Sequence, residues 1–139
     1  MIAAEIAKKF EASVTLIHVY TVIPAIVMPQ ASMQPASAVT NIGPVLPPSE
    51  LAEVAQAGEK AGERILMDAK KMLESKNLSV ETLLVEGEAV HEIVRVAKEG
   101  NFDLIVMGVR GLGKLQELIL GSVGDGVLRN AQCPVLITK

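Results

Sequence analysis

Glycines cluster in the stretch GVRGLGKLQELILGSVG at residues 108–124, which follows the apolar run LIVM. Glycine adopts backbone conformations that other residues avoid and allows a ligand to approach the main chain closely. Gly108 and Gly111 are therefore candidates for turning backbone N–H groups toward an anion. Phosphate is the group that such a stretch is best suited to bind.

The start of the next predicted helix would complete this site. Gly121, Ser122 and Val123 would present free N–H groups and the positive end of the helix dipole. The Ser122 hydroxyl could cap the helix or bind a phosphate oxygen, and Arg110 or Lys114 could neutralise charge. The stretch matches neither the GxxxxGK[ST] loop nor the GxGxxG fingerprint. From the residues alone, anion binding and simple loop punctuation both remain open.

Other chemistry has weaker support. Cys133 is the only cysteine, and His18 and His91 lie far apart in the sequence, so no metal-ligand spacing is present and we expect no metal site. Both histidines fit structural roles better than catalytic ones. The sequence offers no general base that could be named.

Hydrophobic periodicity predicts which elements must position the glycines. It indicates a helix at 1–11 that buries Ile2, Ile6 and Phe10, and a helix between Pro48 and Asn77. The apolar stripe of the second helix comprises Leu51, Val54, Ala55, Ala61, Ile65, Ala69, Met72 and Leu73. Further helices are predicted at 88–100 and 122–131, and strands at 13–20, 80–87, 102–108 and 134–139.

Strands that alternate with helices predict an open parallel α/β sheet with helices on both faces and right-handed crossovers. In such sheets ligands bind beyond the carboxyl ends of the strands. The glycine stretch follows the strand at 102–108 and therefore lies in that position.

Composition excludes several classes of function. The chain has 139 residues, a net charge of −3 and scattered Lys and Arg, which is consistent with one domain over 1–139 and gives no basic stripe for nucleic acid. The most apolar region, 14–28, contains His18 and Pro24 and is shorter than a bilayer span. We therefore expect no nucleic-acid or membrane partner, and a cytoplasmic location.

The segment 21–48 differs in composition from the rest of the chain, because it contains six of the seven prolines, among Ala, Met, Val and Ser. Proline interrupts both helices and strand ladders, so a long loop is predicted. Its apolar character leaves open a role as a lid or as a surface for unknown protein partners.

The sequence resembles the universal stress protein family, in its ATP-binding branch. The spacing Gly108-x2-Gly111-x9-Gly121-Ser122 is similar to that branch's nucleotide-binding signature. The stretches LIHVY, VEGEAVHEIVRVA, DLIVMGVRGLGKLQELILGSV and CPVLITK resemble the family in order and spacing. The resemblance implies a Rossmann-like fold and covers nearly the whole chain apart from 21–48.

The resemblance also implies a ligand and its contacts. The ligand would be ATP, with Mg2+ as a candidate companion. The residues that would contact it are Val19 on the adenine side, Met107, Gly108, Arg110, Gly111, Gly121, Ser122 and Val123. In the family, last strands pair across a two-fold axis, which implies a homodimer through Val135, Leu136 and Ile137.

One departure from the family concerns the first strand. Family members begin with a strand, central in the sheet order 3-2-1-4-5, that ends at an aspartate contacting the adenosine. This sequence starts inside the helix that should follow that strand. We expect the native chain to carry more residues upstream, or the slot to be filled by strand exchange or sheet collapse.

Three functions follow from these observations. The first is an ATP-binding homodimer that regulates by ligand occupancy in a stress response. The second is a nucleotide-free interaction module of the same fold. The third is a slow ATP hydrolase, so whether the protein is an enzyme stays open.

Overall fold

A computed structural model describes residues 1–22, 47–108 and 121–138. Within these ranges the elements are α1 (Ile2–Lys9), β1 (Val14–Tyr20), α2 (Pro48–Glu74), β2 (Val80–Glu86), α3 (Ala89–Glu99), β3 (Ile105–Gly108), α4 (Ser122–Asn130) and β4 (Val135–Thr138). The predicted alternation of helices and parallel strands is confirmed. Most of the proline-rich segment, together with Arg110 and Gly111, lies outside the described residues.

The described strands form two parallel pairs. β1 pairs with β2 over seven residues, from Val14 opposite Val80 to Tyr20 opposite Glu86. β3 pairs with β4 over four residues, from Ile105 opposite Val135. In the described part of the chain β1 and β3 are not paired with each other, so the sheet consists of two two-stranded halves.

α2 packs across β1 and β2 through Gly62, Leu66 and Leu73. A Cβ atom at Gly62 would lie 2.6 Å from Leu84 Cδ1 and 2.8 Å from His18 Cδ2, so the glycine permits this close approach. The prediction that the apolar stripe of this helix packs into the core is partly wrong. The exposed members of the stripe are Val54, Ala61, Ile65 and Met72. α2 packs on β1 and β2 with the face on which its backbone can come closest to the strands. Those four side chains lie on other faces of the helix.

α1 contacts the core through its small residues. Ala4 and Ala7 are buried, and Ala4 clusters with Leu73 and Val80. The prediction that Ile2 and Phe10 are buried is wrong, because they are 47% and 71% exposed. A helix that approaches on its alanines lies close to its neighbours and leaves the larger residues at the margin of the contact.

α3 and α4 also meet by close approach. A Cβ atom at Gly126 would lie 2.6 Å from Val90 Cγ2, and Val127 on α4 is fully buried. Gly126 is therefore explained by helix packing. None of the described helices combines the length and the apolar character that a membrane span requires.

Candidate functional site

Among the described residues, the carboxyl end of β3 is open. β3 ends at Gly108, which is exposed, after the half-buried Met107. Among the described residues, no atom lies within 4 Å of where a Cβ atom at Gly108 would be. A ligand can therefore approach the backbone at this point.

α4 begins without a side-chain cap. Its N-cap residue is Gly121, and the first intrahelical bond runs from the Asp125 N–H to the Gly121 carbonyl at 3.0 Å. The N–H groups of Ser122, Val123 and Gly124 precede that bond, so they have no acceptor within the helix. Together with the helix dipole they make this end a suitable site for an anion.

A charge pair lies one turn into α4. The Asp125 carboxylate accepts a hydrogen bond from Arg129 Nε at 2.8 Å, and this bond raises the pKa of Arg129 above its ordinary value. Both side chains are exposed. Because Arg129 lies beside Asp125, it offsets part of the negative charge that Asp125 places near the helix start.

The start of α3 is arranged differently. Glu88 is its N-cap residue, and its carboxylate accepts hydrogen bonds from the N–H groups of Val90 at 3.1 Å and His91 at 2.7 Å. These two bonds hold the pKa of Glu88 below its ordinary value. Sequence reasoning placed Glu88 inside the helix and missed this role, because Ser, Thr, Asp and Asn are the usual N-cap residues.

The carboxyl ends of β1 and β2 are joined by hydrogen bonds. The Gly87 N–H donates to the Tyr20 carbonyl at 3.0 Å, and Thr21 Oγ1 donates to the Gly87 carbonyl at 2.6 Å. Desolvation, followed by the charges of Glu59 and Glu86, raises the pKa of the Tyr20 phenol. Glu59 and Glu86 therefore place negative charge beside the end of β1.

The predicted site residues fall into two groups. Val19 lies half-buried in β1, opposite Val85 of β2. The second group consists of Met107 and Gly108 at the end of β3 and Gly121, Ser122 and Val123 at the start of α4. Arg110 and Gly111 lie outside the described residues, so their part in the site stays a prediction.

Comparison with known proteins defines the class. The profile of the universal stress protein family matches residues 1–139, and the chain belongs to that family. It is 34% identical over 137 residues to universal stress protein MJ0531 of Methanocaldococcus jannaschii, covering 99% of this chain and 71% of that protein. It is equally identical over 137 residues to universal stress protein YxiE of Bacillus subtilis, covering 99% of this chain and 86% of that protein.

Solved structures agree on the fold. Universal stress protein UspA from Lactobacillus plantarum superimposes with a TM-score of 0.71 at 20% identity, covering 99% of this chain and 85% of that one. A universal stress protein from Archaeoglobus fulgidus, solved in complex with dAMP, gives a TM-score of 0.58 at 22% identity, covering 99% of this chain and 82% of that one. A universal stress protein solved in complex with cAMP gives a TM-score of 0.57 at 23% identity, covering 99% of this chain and 81% of that one.

Proposed function

We propose that this protein binds an adenine nucleotide, with ATP as the preferred ligand, and acts as a regulatory homodimer in a stress response. The observation that carries the proposal is the start of α4, where Gly121 offers no side-chain acceptor and three N–H groups are left for a ligand. Two structural neighbours were solved with dAMP and cAMP, which supports the adenine part of the proposal.

In the proposed complex the phosphates lie between Gly108 and the N-terminus of α4. Gly108 lets the phosphate chain come close to the strand end, and the N–H groups of Ser122 and Val123 donate to phosphate oxygens. Arg110 and Gly111 would extend the cradle, and Val19 would line the adenine side. Within the described residues no group of three or more His, Cys, Asp or Glu side chains could hold a metal, so we assign no protein ligand to Mg2+.

A nucleotide panel tests the proposal. Titration calorimetry with ATP, ADP, AMP, adenosine and GTP should give the tightest binding for ATP and weaker binding as phosphates are removed. Gly108→Leu should weaken ATP binding by about tenfold or more, because its side chain fills the space that phosphate needs. Since no described residue occupies that space, we expect the variant to fold normally, which its melting temperature checks. Equal binding of GTP and ATP, or unchanged affinity in Gly108→Leu, would contradict the assignment.

The homodimer is proposed through β4. The Ile105 N–H donates to the Pro134 carbonyl at 3.0 Å, so Pro134 and Leu136 face β3. Because peptide groups alternate in direction along a strand, those of Val135 and Ile137 face outward. Within the described residues no strand covers that edge, which suits it for pairing with a second copy.

A proline substitution tests the dimer. Ile137→Pro removes an outward N–H group and leaves the β3–β4 hydrogen bonds in place, since proline is tolerated at a sheet edge. We expect light scattering to give twice the chain mass of 14.7 kDa for the parent protein and the chain mass for the variant. Leu136→Pro is the matched control, because it removes an N–H group that faces β3 and should lower the melting temperature. A monomeric parent protein at micromolar concentration would refute the dimer.

A further inference from the structure

The turn that joins β2 to α3 also holds the end of β1. The Gly87 N–H donates to the Tyr20 carbonyl, and Thr21 Oγ1 donates to the Gly87 carbonyl. Both bonds act on the two residues that directly follow Val19. Peptide groups alternate in direction along a strand, so the Val19 N–H and carbonyl face away from β2. The turn therefore fixes the position of the backbone that the proposed adenine would meet.

Gly87 gives this turn a conformation that needs support. Its φ is +152°, which residues with side chains rarely adopt and glycine adopts readily. Glycine has more conformational freedom to lose on folding than any other residue. A contact that restrains Gly87 therefore decides how well ordered the turn is, and with it the end of β1.

The side chain of Glu92 makes such a contact. A Cβ atom at Gly87 would lie 2.6 Å from Glu92 Cγ and 3.3 Å from its Oε1, so both the stem and the carboxylate lie directly against the turn. The Glu92 side chain is only 14% exposed. A carboxylate that is covered to this extent needs hydrogen-bond donors to stay in place.

Arg95 supplies these donors. Its Nε and Nη2 atoms donate to Glu92 Oε2 at 2.9 and 2.6 Å, and its Nη1 atom donates to Glu99 Oε2 at 2.6 Å. The hydrogen bonds to Glu92, followed by the charges of Glu92 and Glu99, raise the pKa of Arg95 above its ordinary value. Glu99 is the last residue of α3 and is 62% exposed. The two carboxylates thus share one guanidinium, and Glu92 is the one that lies against Gly87.

We propose that Glu92, held by Arg95, is a positioning residue for the adenine side of the nucleotide site, on which it acts through Gly87 and the end of β1. The inference rests on the proposed function, because it concerns the same ligand. Glu92 keeps the turn in one conformation, the turn holds the end of β1, and Val19 stays where adenine needs it. The proposed phosphate contacts, at Gly108 and the start of α4, do not use this series of contacts.

The shared arginine provides a matched pair of variants. Glu92→Ala removes the contact with Gly87, whereas Glu99→Ala removes an equally short bond to Arg95 at the other end of α3. Calorimetric titration with ATP and with inorganic tripolyphosphate separates the adenine side from the phosphate side. Glu92→Ala should weaken ATP binding by roughly tenfold and tripolyphosphate binding by less than about twofold. Glu99→Ala should change either affinity by less than about twofold.

Two further measurements separate positioning from general stability. Glu92→Gln keeps the stem and one oxygen acceptor for Arg95, so its ATP affinity should lie within about threefold of the parent protein's. Amide hydrogen exchange followed by NMR reports on the turn without a ligand. The Gly87 amide should exchange roughly tenfold faster in Glu92→Ala than in the parent protein, and at the parent rate in Glu99→Ala.

Unchanged ATP affinity in Glu92→Ala would overturn the inference, and so would an equal loss for ATP and tripolyphosphate. An equal loss in Glu99→Ala would also overturn it, by assigning the effect to the charge of α3. If the parent protein bound no ATP, the proposed function would fail as well. ATP binding by the parent protein that Glu92→Ala leaves intact would contradict this inference alone.

Discussion

Two helices of this protein start in opposite ways. α3 follows β2 and begins at Glu88, whose carboxylate accepts the N–H groups of Val90 and His91. α4 begins at Gly121, which has no side chain to accept anything. A helix start that satisfies its own donors has little to offer a ligand, whereas one that begins at glycine leaves them free. The difference explains why we assign the phosphates to α4 and only a structural role to the start of α3.

The sharpest way to break this contrast is to give α4 a carboxylate cap of its own. Gly121 has φ −60° and ψ 161°, which other residues adopt without strain, so Gly121→Asp should fold. Its carboxylate would occupy the N–H groups and repel phosphate, and ATP affinity should fall by roughly 100-fold. Calorimetric titration measures the loss.

Gly121→Asn is the matched control, because it also caps the helix but carries no charge. We expect its affinity to lie between those of the parent protein and Gly121→Asp, while both variants keep or raise the melting temperature. Equal affinity in all three proteins would show that nucleotide does not contact the start of α4.

A second test concerns the close contact between the two helices. Gly126→Ala should lower the free energy of unfolding by roughly 1–2 kcal/mol, because the new Cβ atom would lie 2.6 Å from Val90 Cγ2. In a Val90→Ala background the same substitution should stabilise the protein by up to about 1 kcal/mol, since alanine favours helix over glycine. Denaturant unfolding of the four proteins in this cycle measures both values. If Gly126→Ala changed the free energy of unfolding in the same direction in both backgrounds, the contact between α3 and α4 would not be what disfavours a side chain at residue 126.

The smallest expected effect concerns the cap of α3. Glu88→Ala should lower the melting temperature by a few degrees at pH 7, since two N–H groups lose their acceptor. The pKa of Glu88 is lowered by folding, so its contribution is present above the ordinary value of 4.5 and is lost as pH falls through the lower folded-state pKa. The difference between the two proteins should therefore vanish in acid.

Glu63→Ala, at an exposed position of α2, is the control for the loss of one surface carboxylate. Thermal unfolding across the acidic range should show no comparable pH-dependent loss of stability in this variant. A difference between the parent protein and Glu88→Ala that persists far below pH 4.5 would argue that the Glu88 side chain stabilises α3 by packing.

The strand pairs show a limit of sequence reasoning. The runs at 13–20 and 134–139 have the apolar pattern of buried strands, and β1 and β4 are found there. That β1 pairs only with β2 and β3 only with β4, among the described residues, depends on which edges meet in space. The sequence indicated a slot between 14–20 and 102–108 through a family resemblance, but the direction in which each peptide group faces comes from the three-dimensional structure.

The sequence by itself determined the order of helices and strands, because periodicity of 2 or 3.6 depends on residues that are near in the chain. It also marked Gly108 and Gly121 through their spacing. Only the tertiary structure decided that α2 packs on Gly62 and Leu66 while Ile65 is exposed, and that Glu88 caps α3. Burial and capping depend on how closely distant backbones approach and where single side chains turn, and no local pattern encodes those distances.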